Sequence, residues 1–277
     1  MTLRPPDWMF YMGVVALLLG AAVVGQVYLG GAQPAPPPPA QAAPGPPNDG
    51  ATPFNPTITV DAPVASGPGA GTAFSISSGG MWLTARHVVE GCARVAIVVG
   101  AGQGVAAEVR IDPRAETAVL ITQGGAPALP MAPVESLKRG MAAFHAGFPG
   151  GRPGEVSSRL IQRETLVLRG RRVRREQVLA WAESDEEDPL PKSLAGLSGA
   201  PALDDKGRVI GVTIAQSRRH AQIYTTTPSS LRAAVARAHI GTASGAMAAP
   251  MSSGSYGRIS NDLRRDLRIV PVVCMKN

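Results

Sequence analysis

Three residues stand where nucleophilic chemistry would need them: His87, Glu116 and Ser198, in that order along a chain of 277 residues. Ser198 lies within Gly196-Leu197-Ser198-Gly199-Ala200-Pro201. A serine hydroxyl is a poor nucleophile until a base takes its proton. The flanking glycines allow close approach of a carbonyl and backbone geometries closed to other residues. They also let the main chain of Gly196, Leu197 and Ser198 aim N–H groups, those of Gly196 and Ser198, into one small space, as an oxyanion hole requires. His87 ends the run Met81-Trp82-Leu83-Thr84-Ala85-Arg86-His87, an apolar strand entering a turn. A histidine titrates near neutral pH, so it suits a group that takes a proton and later returns it. Glu116, just before the apolar run 117–122, supplies a carboxylate to fix the imidazole tautomer and stabilise the imidazolium. Asp112 is the fallback acid.

These residues need a scaffold. Short apolar runs occur at 57–60, 71–77, 81–84, 94–99, 106–111 and 117–122, punctuated by Gly, Asp, Pro and Ser. A second set follows at 141–146, 157–168, 172–182, 200–203, 209–216 and 221–226, after a crossover over 123–140. No ten-residue helical stretch separates neighbouring strands, so the pattern is all-β: six strands, a connection, then six more. Outside the N-terminal segment the one predicted helix is 229–238, entered through Pro228-Ser229-Ser230 with serine as its cap. Residues 241–256 read as a mobile Gly/Ala/Ser-rich loop and 268–274 as a last strand.

The sequence resembles the trypsin-like (chymotrypsin-fold) serine peptidases, and among them the bacterial Deg-type periplasmic proteases. Four pieces carry the resemblance. They are Gly71-Thr72-Ala73-Phe74-Ser75-Ile76, then Leu83-Thr84-Ala85-Arg86-His87-Val88-Val89, then Asp112-Pro113-Arg114-Ala115-Glu116-Thr117-Ala118-Val119-Leu120, and finally the Ser198 turn followed by Gly207-Arg208-Val209-Ile210-Gly211-Val212. They fall within residues 57–240 and keep the family's order of His, acid, Ser. The resemblance implies two six-stranded antiparallel β-barrels with the active site between them. It further implies a His87/Glu116/Ser198 triad, protein or peptide substrates, and no cofactor. The family has Asp where Glu116 stands, Leu or Ile where Thr117 stands, and Gly where Ala200 stands. Glutamate orients the histidine only if its backbone sits further back. A trypsin-fold binding module of lost or reduced activity is the alternative that Glu116 keeps open. The tail is too short for a PDZ domain, so peptide-sensing regulation of the Deg type is not expected within this chain.

By the same resemblance, the pocket for the residue before the scissile bond is walled by 192–197 and 214–217, with Lys192, Ile214, Ala215 and Gln216 as lining. Lys192, Arg218, Arg219 and His220 would favour an acidic or polar side chain there; a small apolar pocket is the alternative. The run Arg169-Gly170-Arg171-Arg172-Val173-Arg174-Arg175 reads as an exposed hairpin turn, partly balanced by the acidic stretch 183–188. His145 reads as a satisfied core or edge histidine, and His220 and His239 as surface ones. An α/β-hydrolase elbow is excluded, because position 200 is Ala and no βαβ pattern occurs.

Residues 8–31 carry no charge and are long enough for a single transmembrane helix, with Trp8 and Tyr11 at one end and Tyr28 near the other. Arg4 precedes this run and the next basic residue is Arg86. Residues 1–7 are therefore expected in the cytoplasm, and the peptidase-like domain on the periplasmic side of the inner membrane. The proline at the candidate cleavage site argues against a removed signal peptide. Residues 32–56, with Pro36-Pro37-Pro38-Pro39, read as a semi-stiff linker. The net charge of +7 suits an acidic partner. Nucleic acid is not expected, since the location is wrong and no interleaved aromatics support it. No cysteine or histidine spacing suggests a metal. Oxidising surroundings would let Cys92 and Cys274 pair and strap the C-terminus to the first barrel; two buried thiols are the alternative.

Overall fold

The computed structural model describes residues 57–61, 69–100, 103–134, 137–169, 173–184, 195–217, 220–238 and 249–276. The expected membrane span over 8–31 and the linker over 32–56 lie outside the described residues. Among the described residues, no helix is long and apolar enough to cross a membrane. In chain order the elements are β1 (Thr57–Asp61), β2 (Gly69–Ser77), β3 (Met81–Ala85), α1 (Arg86–Val89), β4 (Arg94–Val99), β5 (Gln103–Ile111), β6 (Thr117–Ile121), β7 (Ala142–Gly147), β8 (Gly154–Arg169), β9 (Arg174–Glu183), β10 (Pro201–Leu203), β11 (Val209–Ser217), β12 (Gln222–Thr226), α2 (Pro228–Arg237), α3 (Tyr256–Arg265) and β13 (Ile269–Met275).

Six strands close the first barrel in the order β13-β2-β3-β6-β5-β4. Ala73, Trp82, Val95, Ile97, Leu120, Val270 and Val272 share one face of these strands and are buried, while Phe74 and Leu83 are buried on the other face. The buried Trp82 indole needs a partner for its N–H and donates to Thr122 Oγ1 at 2.9 Å. The sixth strand, β13, comes from the far end of the chain and pairs with both β2 and β4. Cys274 on this strand is bonded to Cys92, with the two Cα atoms 5.4 Å apart, as the sequence led us to expect.

The second unit is a seven-stranded sheet in the order β1-β8-β7-β10-β11-β12-β9. Its long strand β8 pairs with β7 through residues 154–159 and with β9 through 158–168, so the sheet folds back on itself. The expectation of two six-stranded barrels holds for one closed barrel only; the other strands form a seven-stranded sheet instead. The seventh strand is β1, which belongs to the first group by sequence but lies parallel to β8. Its physical reason is edge occupancy: β13 and β3 already flank β2. His145 on β7 is fully buried, with Nδ1 3.0 Å from Thr213 Oγ1 and Nε2 2.7 Å from Ser158 Oγ. Burial pushes its imidazole down to about 3, so it is a neutral, satisfied core histidine.

Two helical expectations need correction. The helix near 229–238 is capped by Thr227, whose Oγ1 accepts the N–H of Ser230, and not by a serine. A further helix, α3, was not foreseen. Gly257, Ser260 and Asn261 give it poor local propensity, and packing supplies the rest. Ile259 and Leu263 are buried beneath it, and Tyr256 stacks on Phe144 with ring centroids 5.2 Å apart.

Candidate active site

The turn of helix that follows β3 presents His87. The ring Nδ1 lies 3.0 Å from Glu116 Oε1, and the same oxygen accepts the His87 main-chain N–H at 3.0 Å. A carboxylate only accepts, so the ring proton sits on Nδ1 and Nε2 is left able to take another. The main chains are joined as well, Arg86 N donating to Glu116 O at 3.2 Å. Glu116 is 1% exposed. Burial alone raises its carboxyl, but the hydrogen bond and charge of His87 and the charge of Arg174 outweigh it and hold it below the usual carboxylate range. Its second oxygen accepts from Arg174 Nη2 at 2.8 Å, and its N–H donates to Glu176 Oε2 at 2.6 Å.

The Ser198 turn is held from both units. Thr72 N donates to Ser198 O at 2.8 Å, Thr72 Oγ1 donates to Gly196 O at 2.7 Å, and Gly199 N donates to Thr213 O at 2.8 Å. Gly196 and Gly199 have φ of 97° and 90°, in the left-handed region that favours glycine. A Cβ on Gly199 would lie 2.0 Å from Thr72 O and 3.1 Å from Ala85 N. The backbone beside Ser198 therefore runs against the end of β3, two residues before His87. Ala200 is accommodated because Gly147 opposes it: a Cβ built on Gly147 would come within 3.1 Å of the Ala200 methyl. Leu197 is buried in the second unit's core and fixes the turn, while Ser198 is half-buried. No hydrogen bond joins His87 to Ser198. Among the described residues, none accepts the N–H of Gly196 or of Ser198.

Other expected site residues fall differently. Asp112 is committed elsewhere: Oδ1 accepts the N–H groups of Arg114 and Ala115, and Oδ2 pairs with Arg237 at 2.7 Å. Lys192, Arg218 and Arg219 lie outside the described residues. Ile214 sends its side chain into the core, which leaves Ala215 and Gln216 as the half-buried members of the expected lining. Gln216 donates to Glu183 at 2.9 Å, and His220 is exposed beside Ser217. The reading of the arginine run as an exposed turn fails at Arg174, which is turned toward Glu116 and Glu90. Sequence reasoning missed Arg174 and Glu176. The period of two puts them on one face of β9 with Val178 and Ala180, but residues 178–181 are buried on both faces, so the strand's own pattern does not single them out.

The pattern of the trypsin-like peptidase domain matches residues 71–212, just over half of the chain and inclusive of His87, Glu116 and Ser198. The chain belongs to that family. No curated protein matches the sequence. Among solved structures, this trypsin-like chain shares its fold with the active form of the Rv3671c protease from M. tuberculosis, at 23% identity and a TM-score of 0.52, over 71% of this chain and 94% of that one. The inactive form of the same protease gives 25% identity and a TM-score of 0.49, over 60% and 83%. The HtrA-type protease AlgW with a decapeptide gives 19% identity and a TM-score of 0.49, over 62% of this chain and 52% of its own.

Proposed function

We propose that the chain is a serine endopeptidase working through His87, Glu116 and Ser198. Ser198 Oγ attacks the scissile carbonyl carbon while His87 Nε2 takes its proton. The carbonyl electron pair moves onto oxygen, where the N–H groups of Gly196 and Ser198 receive the charge. The intermediate collapses, the C–N bond breaks, and His87 returns the proton to the departing amine. Water then repeats the sequence on the acyl-enzyme, and the ester bond to Ser198 breaks to release the acid. Glu116, ionised beside His87, holds the tautomer and stabilises the imidazolium.

What carries this reading is the 3.0 Å contact between His87 Nδ1 and Glu116 Oε1, on elements against which the Ser198 turn is packed. Incubation of the full-length chain with a fluorophosphonate is expected to leave one adduct, mapped to Ser198 by peptide mass. An unmodified Ser198 after exhaustive treatment would end the proposal. A second reading, a binding module of reduced activity, is favoured by the missing His87–Ser198 hydrogen bond. Such contacts often tighten only when substrate is bound, and the same labelling separates the two readings.

For substrate preference, the basic residues Lys192, Arg218, Arg219 and His220, in or next to the two sequence segments expected to wall the pocket, favour an acidic or polar residue before the cleaved bond. A peptide-library profile led by Arg or Lys at that position would refute this. We also assign residues 8–31 as an inner-membrane anchor with the domain in the periplasm. The charge-free run after Arg4 supports the anchor, and the Cys92–Cys274 bond suits an oxidising compartment.

A further inference from the structure

The sheet that does not carry His87 reaches across to hold its carboxylate. Glu176, on β9, accepts the N–H of Glu116 at 2.6 Å, although 60 residues separate them in sequence. Two positions earlier on the same strand, Arg174 donates to Glu116 Oε2 at 2.8 Å. One strand of the second unit thus grips this first-barrel residue by both its main chain and its side chain. A glutamate, one methylene longer than aspartate, gains a fixed position only if something beyond His87 constrains it, and β9 supplies that constraint.

We propose that Glu176 is a positioning residue for Glu116, and that loss or gain of a proton on Glu176 changes how well the Glu116–His87 pair supports attack by Ser198. This rests on the serine endopeptidase reading above. Glu176 is buried, and its Oε1 has no hydrogen-bond partner among the described residues. Burial raises its carboxyl to about 7, the nearby charges of Glu116 and Asp112 act in the same direction, and the Glu116 N–H and Arg174 oppose them. Further charges connect through these groups. Glu90 lies 3.5 Å from Arg174, Arg86 donates to Asp112 O at 3.0 Å, and Arg237 pairs with Asp112 at 2.7 Å. On β8 the residue opposite Glu176 is Leu166, and Glu164 lies opposite Val178. In both protonation states one carboxyl oxygen still accepts the Glu116 N–H. Only the ionised state adds negative charge behind Glu116, where it stabilises the imidazolium formed during attack.

Two measurements on the full-length chain test this. In the ¹⁵N-labelled protein, the Glu116 amide resonance is expected to titrate with a midpoint near 7 and to lose that step in Glu176→Gln. This readout needs no activity, so it tests the inference even if Ser198 proves unreactive. For fluorophosphonate inactivation, Glu176→Gln is expected to match the native chain at pH 6 and to fall about threefold or more behind it at pH 8.5. Glu176→Ala, which also removes the acceptor, is expected to be about tenfold slower at both pH values, with Glu176→Gln rescuing the rate at pH 6. A Glu116 amide insensitive to pH in this range, or a native-to-Gln rate ratio that stays constant with pH, would overturn the proposal. Equal rates for the Ala variant and the native chain would overturn it as well.

Discussion

Glu116→Gln will slow inactivation by a fluorophosphonate by about a thousandfold or more, with little loss of fold. The carboxylate does three things at once: it accepts the His87 N–H, it accepts the ring Nδ1–H, and it neutralises Arg174. An amide has one acceptor oxygen and one NH₂ group. If the oxygen stays on Arg174, the NH₂ faces His87 and selects the tautomer that cannot take the serine proton. If the oxygen turns to His87, the NH₂ meets the guanidinium, and Arg174 keeps only the 3.5 Å contact with Glu90. Neither arrangement supplies negative charge to the imidazolium. Near-native reactivity of this variant would remove Glu116 from the triad and return attention to the binding-module reading.

Replacing Cys92 and Cys274 together by alanine will lower the free energy of unfolding by about 3–5 kcal/mol, read from urea midpoints under non-reducing conditions. The bond spans 182 residues, and chain-entropy arguments give about 5 kcal/mol for a loop of that size, reduced by whatever order the unfolded chain retains. The effect should be cooperative. Cys274 lies on β13, which closes the barrel between β2 and β4 and arrives only after the chain has built the second unit. Without the tie, the unfolded chain must bring that strand back across nearly the whole domain. Unchanged midpoints would mean that strand pairing alone secures the barrel's closure.

Much of the candidate site was legible because its signals are local. Two glycines flanking a serine, a strand ending in histidine and a carboxylate preceding an apolar strand each declare themselves within about ten residues. The glycines are required where they stand, since a side chain at position 199 would strike Thr72 and Ala85. Short apolar runs bounded by Gly, Asp, Pro and Ser likewise revealed most strands, the last one included, because strand-forming residues and turn residues are local signals. His145 could be read as a core or edge histidine from its place on an apolar strand, whereas the pairing of the cysteines rested on the oxidising surroundings expected for the domain.

Other features depended on which partners were free in space. The parallel place of β1 beside β8 follows from an occupied edge in the first barrel, and α3 from the burial of Ile259 and Leu263 and the stacking of Tyr256 on Phe144. Sequence determined the identity and order of His87, Glu116 and Ser198, because backbone geometry and strand period are properties of short segments. Only the tertiary structure decided that Arg174 and Glu176 turn inward to hold Glu116, and that Asp112 is bound to Arg237 instead. A charged side chain can be buried only where a distant partner compensates it, and no stretch of chain shows in advance which partner that will be.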